Sequence, residues 1–270
     1  MLLSFGYCTK CDACKEDATY ACDEFPAINF GKKRANGNAA VGKLSDGTPV
    51  DGSFFGQSSF GRHALVKEVS CVVVPEDTDA KLLAPLGCGL QTGAGGVFNA
   101  ANVKPHNTVL INGLGGVGMA ALFAALSIKP KAVLVVDMNE ERLKLARELG
   151  ATAAINPKSL SDTTLPEEVR RLTNGRGVDY VIEATGHPVA ARAAFDALAM
   201  RGRLVQIGSS PGELQLPVSC THLRFGSVLT RKHRSTTSSS VSAASRPAAR
   251  VTTRLTSSSP AWPSCTRRAR

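Results

Sequence analysis

The stretch NGLGGVG, residues 112–118, carries the spacing G-x-G-x-x-G at Gly113, Gly115 and Gly118. The spacing alone is a weak indicator, but here it follows an apolar run that predicts a strand and opens a segment that predicts a helix. Glycines at these positions permit a tight turn and let a pyrophosphate approach the helix N terminus. Free backbone N–H groups and the helix dipole favour an anion there. The stretch therefore predicts a dinucleotide-binding loop, and the alternative is a glycine-rich turn without a ligand.

The residues on both sides of this loop alternate between predicted strands and predicted helices. The predicted strands are 108–112, 132–137, 153–156, 178–185, 202–208 and 223–230. The predicted helices are 116–128, 139–150, 166–173 and 189–200. Strands that alternate with helices indicate right-handed βαβ units. We therefore predict an α/β fold with a doubly wound parallel sheet of the Rossmann type.

An acidic residue at the end of the second predicted strand bears on the choice of coenzyme. Asp137 lies nineteen residues beyond Gly118. A carboxylate at this place accepts hydrogen bonds from the ribose hydroxyls of NAD and repels the 2′-phosphate of NADP. The sequence therefore favours NAD, with Gly116 and Val117 completing the coenzyme loop. The alternative for Asp137 is an acid that only stabilises the N terminus of the following helix.

Four cysteines lie close together near the start of the chain, in the spacing C-x2-C-x2-C-x7-C. They are Cys8, Cys11, Cys14 and Cys22. Short C-x2-C steps fold the thiolates back on one another, as tetrahedral zinc requires, and let intervening backbone amides point at the sulfurs. Four thiolates leave no open coordination position, so we expect a structural zinc ion. Disulfides, free thiols and a redox pair are the alternatives.

Composition and charge argue against several classes of protein. No apolar run predicts a membrane span, and the first residues lack the basic segment of a secretory signal, so we expect a cytoplasmic protein. The formal net charge is +10, but nine of the 32 Lys and Arg lie in residues 231–270, which contain no acid. Residues 1–230 therefore carry only +1. The same tail holds sixteen Ser and Thr, a composition that predicts disorder.

Together these motifs resemble the zinc-dependent medium-chain alcohol dehydrogenases. Three further segments are similar to that family: FFGQSSFGRHALV at 54–66, LGCGLQTGAGGVFNAANVKP at 86–105 and VIEATGHP at 181–188. The combination of FFGQSSF with GCGLQTGAG is most similar to the aryl (benzyl) alcohol branch. The resemblance implies an NAD-dependent alcohol dehydrogenase that oxidises a primary, aromatic alcohol to the aldehyde.

The resemblance also implies a domain organisation and two catalytic positions. Residues 1–88 correspond to an incomplete, β-rich GroES-like catalytic domain that holds the structural zinc lobe, and 89–230 to the Rossmann NAD-binding domain. The basic tail follows at 231–270. Cys88 matches a ligand of the family's catalytic zinc, and Thr92 matches a residue beside the nicotinamide.

Two more residues enter the predicted coenzyme site through the resemblance. Arg142 joins Asp137 as a contact of the adenosine ribose, and Thr185 stands at the strand end under the cofactor. Because the family commonly assembles through its coenzyme domains, a homo-oligomer is compatible with the resemblance.

The chain departs from the family pattern at the catalytic zinc. The family takes a first cysteine, a histidine and a nearby glutamate from a segment before the zinc lobe, and this chain matches only Cys88. We therefore expect one zinc per chain and impaired alcohol oxidation. His63, in a predicted strand, and His106, in a predicted turn, are expected to be ordinary residues rather than ligands. Three further cysteines have no ligand spacing: Cys71, Cys220 and Cys265.

The tail is the second departure, and we expect residues after about 230 to reflect a frame slip or a misjoined exon. Two other functions are weighed beside alcohol oxidation. One is a fragment that binds NAD and zinc without catalysis. The other is nucleic-acid binding through the tail and the cysteine lobe. The single aromatic residue of the tail, Trp262, and the lack of a groove-reading helix pattern disfavour it.

Overall fold

The computed structural model describes residues 1, 3–31, 42–50, 52, 54–57 and 63–209. These residues divide into two compact units, one within Met1–Cys88 and the other beginning at Gly89. The predicted strand at 223–230, the cysteines at 220 and 265, and the basic tail lie outside the described residues.

The described part of the first unit consists mainly of short helices and turns. Its α-helices are α1 (Asp12–Lys15), α2 (Phe25–Phe30) and α3 (Ala80–Leu83). Single 3₁₀ turns span Thr19–Ala21, Phe54–Gly56, Glu68–Ser70 and Ala84–Gly87. The strands β1 (Gly42–Lys43) and β2 (Pro49–Val50) form an antiparallel pair.

Strand content in this described part is lower than in the β-rich domain that the resemblance implies. The apolar run CVVVP at 71–75 is extended, but it pairs with the start of the chain over a short distance. Leu3 N donates to Ser70 O at 2.9 Å, and Val72 N donates to Met1 O at 2.9 Å. Within the described residues, this apolar run thus forms a brief pairing rather than a longer strand.

The second unit begins with helix α4 (Gly89–Gly95), which continues as a π-helical turn over Gly96–Ala101. The alternating part follows in the order β3 (Thr108–Asn112), α5 (Gly116–Ile128), β4 (Ala132–Val136), α6 (Glu140–Leu149), β5 (Ala153–Ile155), α7 (Leu165–Leu172), β6 (Val178–Glu183), α8 (Pro188–Asp196) and β7 (Leu198–Gln206). A 3₁₀ turn at Pro157–Ser159 lies between β5 and α7.

The five strands form one sheet in the order β5-β4-β3-β6-β7, and every pair is parallel. Leu110 on β3 lies opposite Leu134 on one side and Val181 on the other. The chain moves outward from β3 to β5 and then returns to place β6 on the opposite side of β3. The strand order therefore reverses between β3 and β6, and in such sheets ligands bind at the carboxyl ends of the strands at this point.

Two apolar clusters cover the two faces of this sheet. Val109 and Ile111 of β3 belong to one cluster, together with buried residues of α5 and α6 such as Leu122 and Leu143. Leu110 belongs to the other cluster, which includes residues of α7 and α8. Burial on both faces explains why the strands are continuous apolar runs rather than alternating ones. The predicted α/β fold with a doubly wound parallel sheet is confirmed.

One predicted boundary is wrong. The helix predicted at 189–200 ends at Asp196, and residues from Leu198 onward form β7, with Leu198 opposite Val178. The Ala- and Leu-rich sequence has helix propensity, but tertiary packing overrides it. Gly177 lets the two backbones approach closely, since a Cβ at this glycine would lie 2.6 Å from Ala197 O.

Candidate functional site

The four cysteine sulfurs of the first unit come together as the spacing predicts. The sulfurs of Cys8, Cys11, Cys14 and Cys22 all lie within 4.8 Å of one another, and those of Cys8 and Cys14 are 3.9 Å apart. Tetrahedral zinc with Zn–S bonds of about 2.3 Å separates its sulfurs by about 3.8 Å. No disulfide joins these cysteines. The four-sulfur cluster therefore has the size and ligand set of a closed zinc site.

Backbone amides of the turn between the first two cysteines point at a sulfur. Lys10 N and Cys11 N donate to Cys8 Sγ at 3.4 and 3.2 Å, and Cys8 N donates to Cys22 Sγ at 3.3 Å. Thr9 has φ = 66°, which is uncommon for a β-branched residue. This strained turn aims the two following N–H groups at the sulfur.

The same amides and the burial of the cluster change the acidity of the thiols. The N–H groups of Lys10 and Cys11 lower the pKa of Cys8 to about 6. Burial raises the pKa of Cys14 to about 12 and also raises that of Cys22. Zinc binds thiolates rather than thiols. Because burial disfavours the thiolate forms of Cys14 and Cys22, a cation is needed beside them to stabilise these charges. The residues thus fit a zinc ion bound by all four sulfurs.

A buried asparagine holds the segment that leads into the cluster. Asn29 on α2 is fully buried, and its Oδ1 accepts a hydrogen bond from Gly6 N at 2.9 Å. Its Nδ2 donates to Gly6 O and Phe25 O, each at 2.8 Å. Gly6 precedes Cys8 by two residues, so Asn29 fixes the approach of the chain to the first sulfur.

The predicted coenzyme loop lies at the carboxyl end of β3, in the second unit. Gly113 follows the strand with φ = 93°, a conformation that favours glycine. A Cβ at Gly118 would lie 1.8 Å from Gly113 O, so the start of α5 and the end of β3 are closer than any side chain allows. The first and last glycines of the motif therefore have structural reasons to be glycine.

The middle glycines of the loop face open space. A Cβ built on Gly115 or Gly116 meets no atom within 4 Å. Gly115 is the N-cap of α5, and the N–H groups of a first helical turn have no partner within their helix. Packing within the protein therefore does not explain why these two residues are glycine. The open space beside the helix N terminus has room for a phosphate group.

Asp137 lies where the sequence predicts, directly after β4. Its side chain is 10% exposed, and its carboxylate accepts hydrogen bonds from Leu114 N at 2.7 Å and Asn139 N at 2.8 Å. Arg142 Nη1 lies 3.5 Å from Asp137 Oδ2. The structure thus joins Asp137 and Arg142 and ties both to the glycine loop. Contact with a ribose stays a prediction.

The other predicted coenzyme residues border the same loop. A Cβ at Gly113 would lie 2.8 Å from Thr185 Cγ2, which places Thr185 beside the loop at the end of β6. Helix α4 approaches from another direction, since a Cβ at Gly93 would lie 2.0 Å from Val117 O. Thr92 is the neighbour of Gly93 on α4 and is half-buried. The structure therefore gathers the predicted coenzyme residues around one loop.

The remaining predicted residues lie elsewhere. Cys88 ends the first unit, is exposed and is not part of the four-sulfur cluster. His63 is exposed and lies in a bend rather than in the predicted strand, whereas His106 lies in a turn as predicted. Cys71 is exposed, and its Sγ is 3.6 Å from Lys67 O.

Sequence reasoning missed one polar residue beside the coenzyme loop. Glu183, the last residue of β6, is fully buried and contacts Thr185. The sequence contains an indication of this residue, because Glu183 is an acid that directly follows the buried apolar residues Val181 and Ile182 at the end of the strand VDYVIE.

A model of the protein family described as zinc-binding dehydrogenase matches residues 116–253, just over half of the chain. The chain belongs to the zinc-binding dehydrogenase family. The family expected from the sequence is confirmed, and the match begins within the glycine loop described above.

Curated relatives and solved structures of this family are similar over most of the chain. The geraniol dehydrogenase of Castellaniella defragrans is 35% identical over 234 residues, which cover 86% of this chain and 61% of that protein. An alcohol dehydrogenase zinc-binding domain protein from Burkholderia ambifaria is 36% identical with a TM-score of 0.74, over 83% of this chain and 60% of that one. The benzyl alcohol dehydrogenase of Acinetobacter calcoaceticus is 36% identical with a TM-score of 0.70, over 82% and 58%. The chain thus spans about three fifths of the length of these relatives.

Within the described residues, no helix has the length and apolar character needed to cross a membrane.

Proposed function

We propose that this chain carries the structural zinc lobe and the coenzyme-binding unit of an NAD-linked, zinc-dependent alcohol dehydrogenase. One observation carries the proposal. The glycine loop leaves open space at Gly115 and Gly116, at a helix N terminus, where the strand order of a doubly wound sheet reverses. A dinucleotide pyrophosphate is the ligand that this combination suits.

The residues around the loop have separate roles in this proposal. The first-turn N–H groups of α5 bind the pyrophosphate, and Asp137 accepts hydrogen bonds from the adenosine ribose. A carboxylate has about four acceptor sites, so the two backbone N–H groups that Asp137 already accepts leave room for a hydroxyl. Thr185 and Thr92 limit the position of the nicotinamide end. When bound, NAD supplies the hydride acceptor of the reaction.

The four-sulfur cluster has a structural role in this proposal. Four thiolates complete the tetrahedron and leave no position for a substrate oxygen. The metal therefore contributes to the folding of the lobe rather than to the reaction. Cys88 is the residue that we assign to the catalytic zinc of the family.

Titration of the purified chain with NADH, followed by nucleotide fluorescence, tests the proposal. We expect saturable NADH binding and weaker NADPH binding, since the charge of Asp137 repels a 2′-phosphate. Absence of NADH binding by a folded chain, or equal binding of NADPH, contradicts the assignment.

A second candidate is an NAD- and zinc-binding protein without catalysis. Among the described residues, His, Cys, Asp and Glu side chains gather in a metal-binding geometry only at the four cysteines, and Cys88 is outside that cluster. Benzyl alcohol with NAD and added zinc distinguishes the two candidates. NADH formation that is lost in a Cys88→Ala variant supports the enzyme, and binding of NAD without turnover supports the second candidate.

Substrate, partners and location belong to the same proposal. A primary, aromatic alcohol is the proposed substrate, in keeping with the similarity to a benzyl alcohol dehydrogenase. We place the protein in the cytoplasm, as a homo-oligomer that does not bind nucleic acid.

A further inference from the structure

The carboxyl end of β6 contains a buried acid that the proposed reaction does not use. Glu183 has 0% exposure and is the one Asp, Glu, Lys or Arg among the buried residues of the described part. Within the described residues, none of the ion pairs includes it. A buried carboxylate is costly unless hydrogen bonds compensate it. Its position at the point where the strand order reverses therefore calls for a role.

Donors from two chain segments surround this carboxylate. Glu183 Oε1 accepts a hydrogen bond from Thr185 N at 2.8 Å and another from the Thr185 hydroxyl. Gly186 N lies 3.3 and 3.2 Å from the two carboxylate oxygens. From β7, Gln206 Nε2 donates to Oε2 at 2.6 Å and also to Gly208 O at 2.8 Å. The carboxylate thus joins the turn after β6 to the end of β7.

The turn after β6 lies so close to the end of β7 that no side chain fits between the two segments. A Cβ at Gly186, where φ is 68°, would lie 2.3 Å from Ser209 O. A Cβ at Gly208 would lie 2.1 Å from Gly186 N and 2.7 Å from Glu183 Oε2. Backbone therefore lies against backbone here, and Ile207 N and Gly208 N both donate to Glu183 O, at 2.9 and 3.0 Å. The carboxylate adds a side-chain hydrogen bond from Gln206 to this backbone pairing.

This arrangement extends to the coenzyme loop through the turn that follows Glu183. Thr185 receives its conformation from Glu183, and the methyl group of Thr185 is the nearest atom to the position of a Cβ at Gly113. Ala184 N also donates to Asn112 O at 2.9 Å, next to that glycine. The line of contact runs from Gln206 through Glu183 and Thr185 to the loop.

We propose that Glu183 is a positioning residue for the dinucleotide site: it fixes the turn at residues 184–186 against the glycine loop and so sets the affinity for the coenzyme without touching it. This inference rests on the proposed function. It assigns to a buried residue a role that concerns the nicotinamide half of the ligand, beside Thr185, rather than the adenosine half beside Asp137.

The substitution Glu183→Gln removes the charge while keeping nearly the same shape. Every group that faces the carboxylate donates to it, so the new amide NH2 opposes Thr185 N in one orientation and Gln206 Nε2 in the other. Rotation of the Gln206 amide offers no relief, because it would turn the Gln206 oxygen toward Gly208 O. The turn must therefore shift, and a displacement of about 1 Å near a bound ligand has large effects.

Fluorescence titration of purified variants tests the inference. We expect the dissociation constant for NADH to rise about tenfold in Glu183→Gln, whereas that for 5′-AMP, which occupies only the adenosine half, stays within about twofold. The matched control is Asp179→Asn at the amino end of the same strand. Asp179 accepts hydrogen bonds from Thr108 N at 2.8 Å and the Thr108 hydroxyl at 3.1 Å. That variant should lower the melting temperature and leave both affinities unchanged.

Two further measurements test the inference if Glu183→Gln does not fold or if the chain does not bind NADH. If Glu183→Gln does not fold, Gln206→Met removes one donor to the carboxylate, and we expect a threefold rise in the NADH dissociation constant, on the order of half the tenfold effect in free energy. Amide hydrogen exchange of the free protein needs no ligand, and we expect exchange at Thr185 and Gly186 to accelerate in the variants but not in Asp179→Asn. Unchanged NADH affinity, parallel loss of NADH and 5′-AMP binding, or unchanged exchange at these two amides overturns the inference. Failure of the wild-type chain to bind NADH overturns the proposed function instead, and the exchange measurement still decides the role of Glu183.

Discussion

Alanine substitutions at two glycines of the loop should have opposite consequences for folding and for coenzyme binding. At Gly118, a Cβ would lie 1.8 Å from Gly113 O, and reaching even 3.0 Å requires a shift of 1.2 Å. At Gly115, a Cβ meets no atom within 4 Å, and φ = −66° is accessible to alanine. The first change therefore disturbs the fold, and the second changes only the surface that a ligand meets.

The magnitudes follow from these distances. Inserting a methyl group against fixed backbone costs about 3 kcal/mol or more, which lowers the melting temperature of a domain of this size by roughly 6–12 °C. For Gly115→Ala, the lower entropy of the unfolded chain stabilises by about 0.4–1 kcal/mol. Alanine is also a poorer N-cap than glycine, so the net change in folding free energy is small. A methyl group in the space of the pyrophosphate should weaken NADH binding by about 1–3 kcal/mol, or roughly 5- to 150-fold.

Thermal melting and NADH titration on both variants provide the test. We expect Gly118→Ala to melt early, and Gly115→Ala to melt like the wild type while binding NADH at least fivefold more weakly. If Gly115→Ala bound NADH with wild-type affinity, the pyrophosphate would not lie at this loop. If Gly118→Ala melted normally, the close approach at Gly113 would not be a constraint of the fold.

Four other outcomes are expected. The purified chain should hold about one zinc, and Cys14→Ser should release it on mild chelation; elemental analysis that finds two tightly held zinc ions contradicts the assignment. Asp137→Ser should lower the ratio of the NADPH dissociation constant to the NADH dissociation constant in parallel titrations, and an unchanged ratio would show that another group selects the coenzyme. Asn29→Leu should lower the melting temperature of the zinc lobe by leaving the N–H and C=O of Gly6 without partners, at a cost of about 1–3 kcal/mol; a lobe that melts unchanged would refute this role. NADH formation from benzyl alcohol with added zinc should be weak and should disappear in Cys88→Ala, because Cys88 is the residue assigned to the catalytic zinc; turnover that survives in Cys88→Ala would refute this assignment.

The sequence was sufficient for the second unit because its signals agree with one another. The strand predicted at 108–112 and the helix predicted at 116–128 have the same bounds in the structure, since an apolar run and a glycine turn delimit each of them. The helix predicted at 139–150 begins one residue later, after Asn139, whose side chain accepts a hydrogen bond from Arg142 N. Where a cap, an apolar period and a turn coincide, local pattern and tertiary packing select the same element.

The errors arise where packing, rather than local pattern, decides. The end of α8 was misplaced because only the approach of Gly177 to Ala197 shows that a strand must begin there. In the described part of the first unit, a four-cysteine cluster and a buried asparagine take the place of the regular strand pairing on which pattern analysis depends. The four cysteines were recognisable because zinc imposes a fixed spacing, whereas the hydrogen bonds of Asn29 to Gly6 cross 23 residues of sequence and leave no periodic signal.

The contacts around the coenzyme loop suggest how binding and stability are related in this unit. Gly113 rests against Thr185, Asp137 accepts a hydrogen bond from Leu114 N, and Glu183 holds the turn beside them. The loop is therefore shaped by contacts within the unit before any ligand arrives. A preformed site loses little conformational entropy on binding. Its affinity for the coenzyme therefore depends on how well the surrounding contacts hold the loop in the binding conformation. A substitution that disturbs these contacts, such as Glu183→Gln, should therefore change the free energy of NADH binding more than it changes the free energy of unfolding.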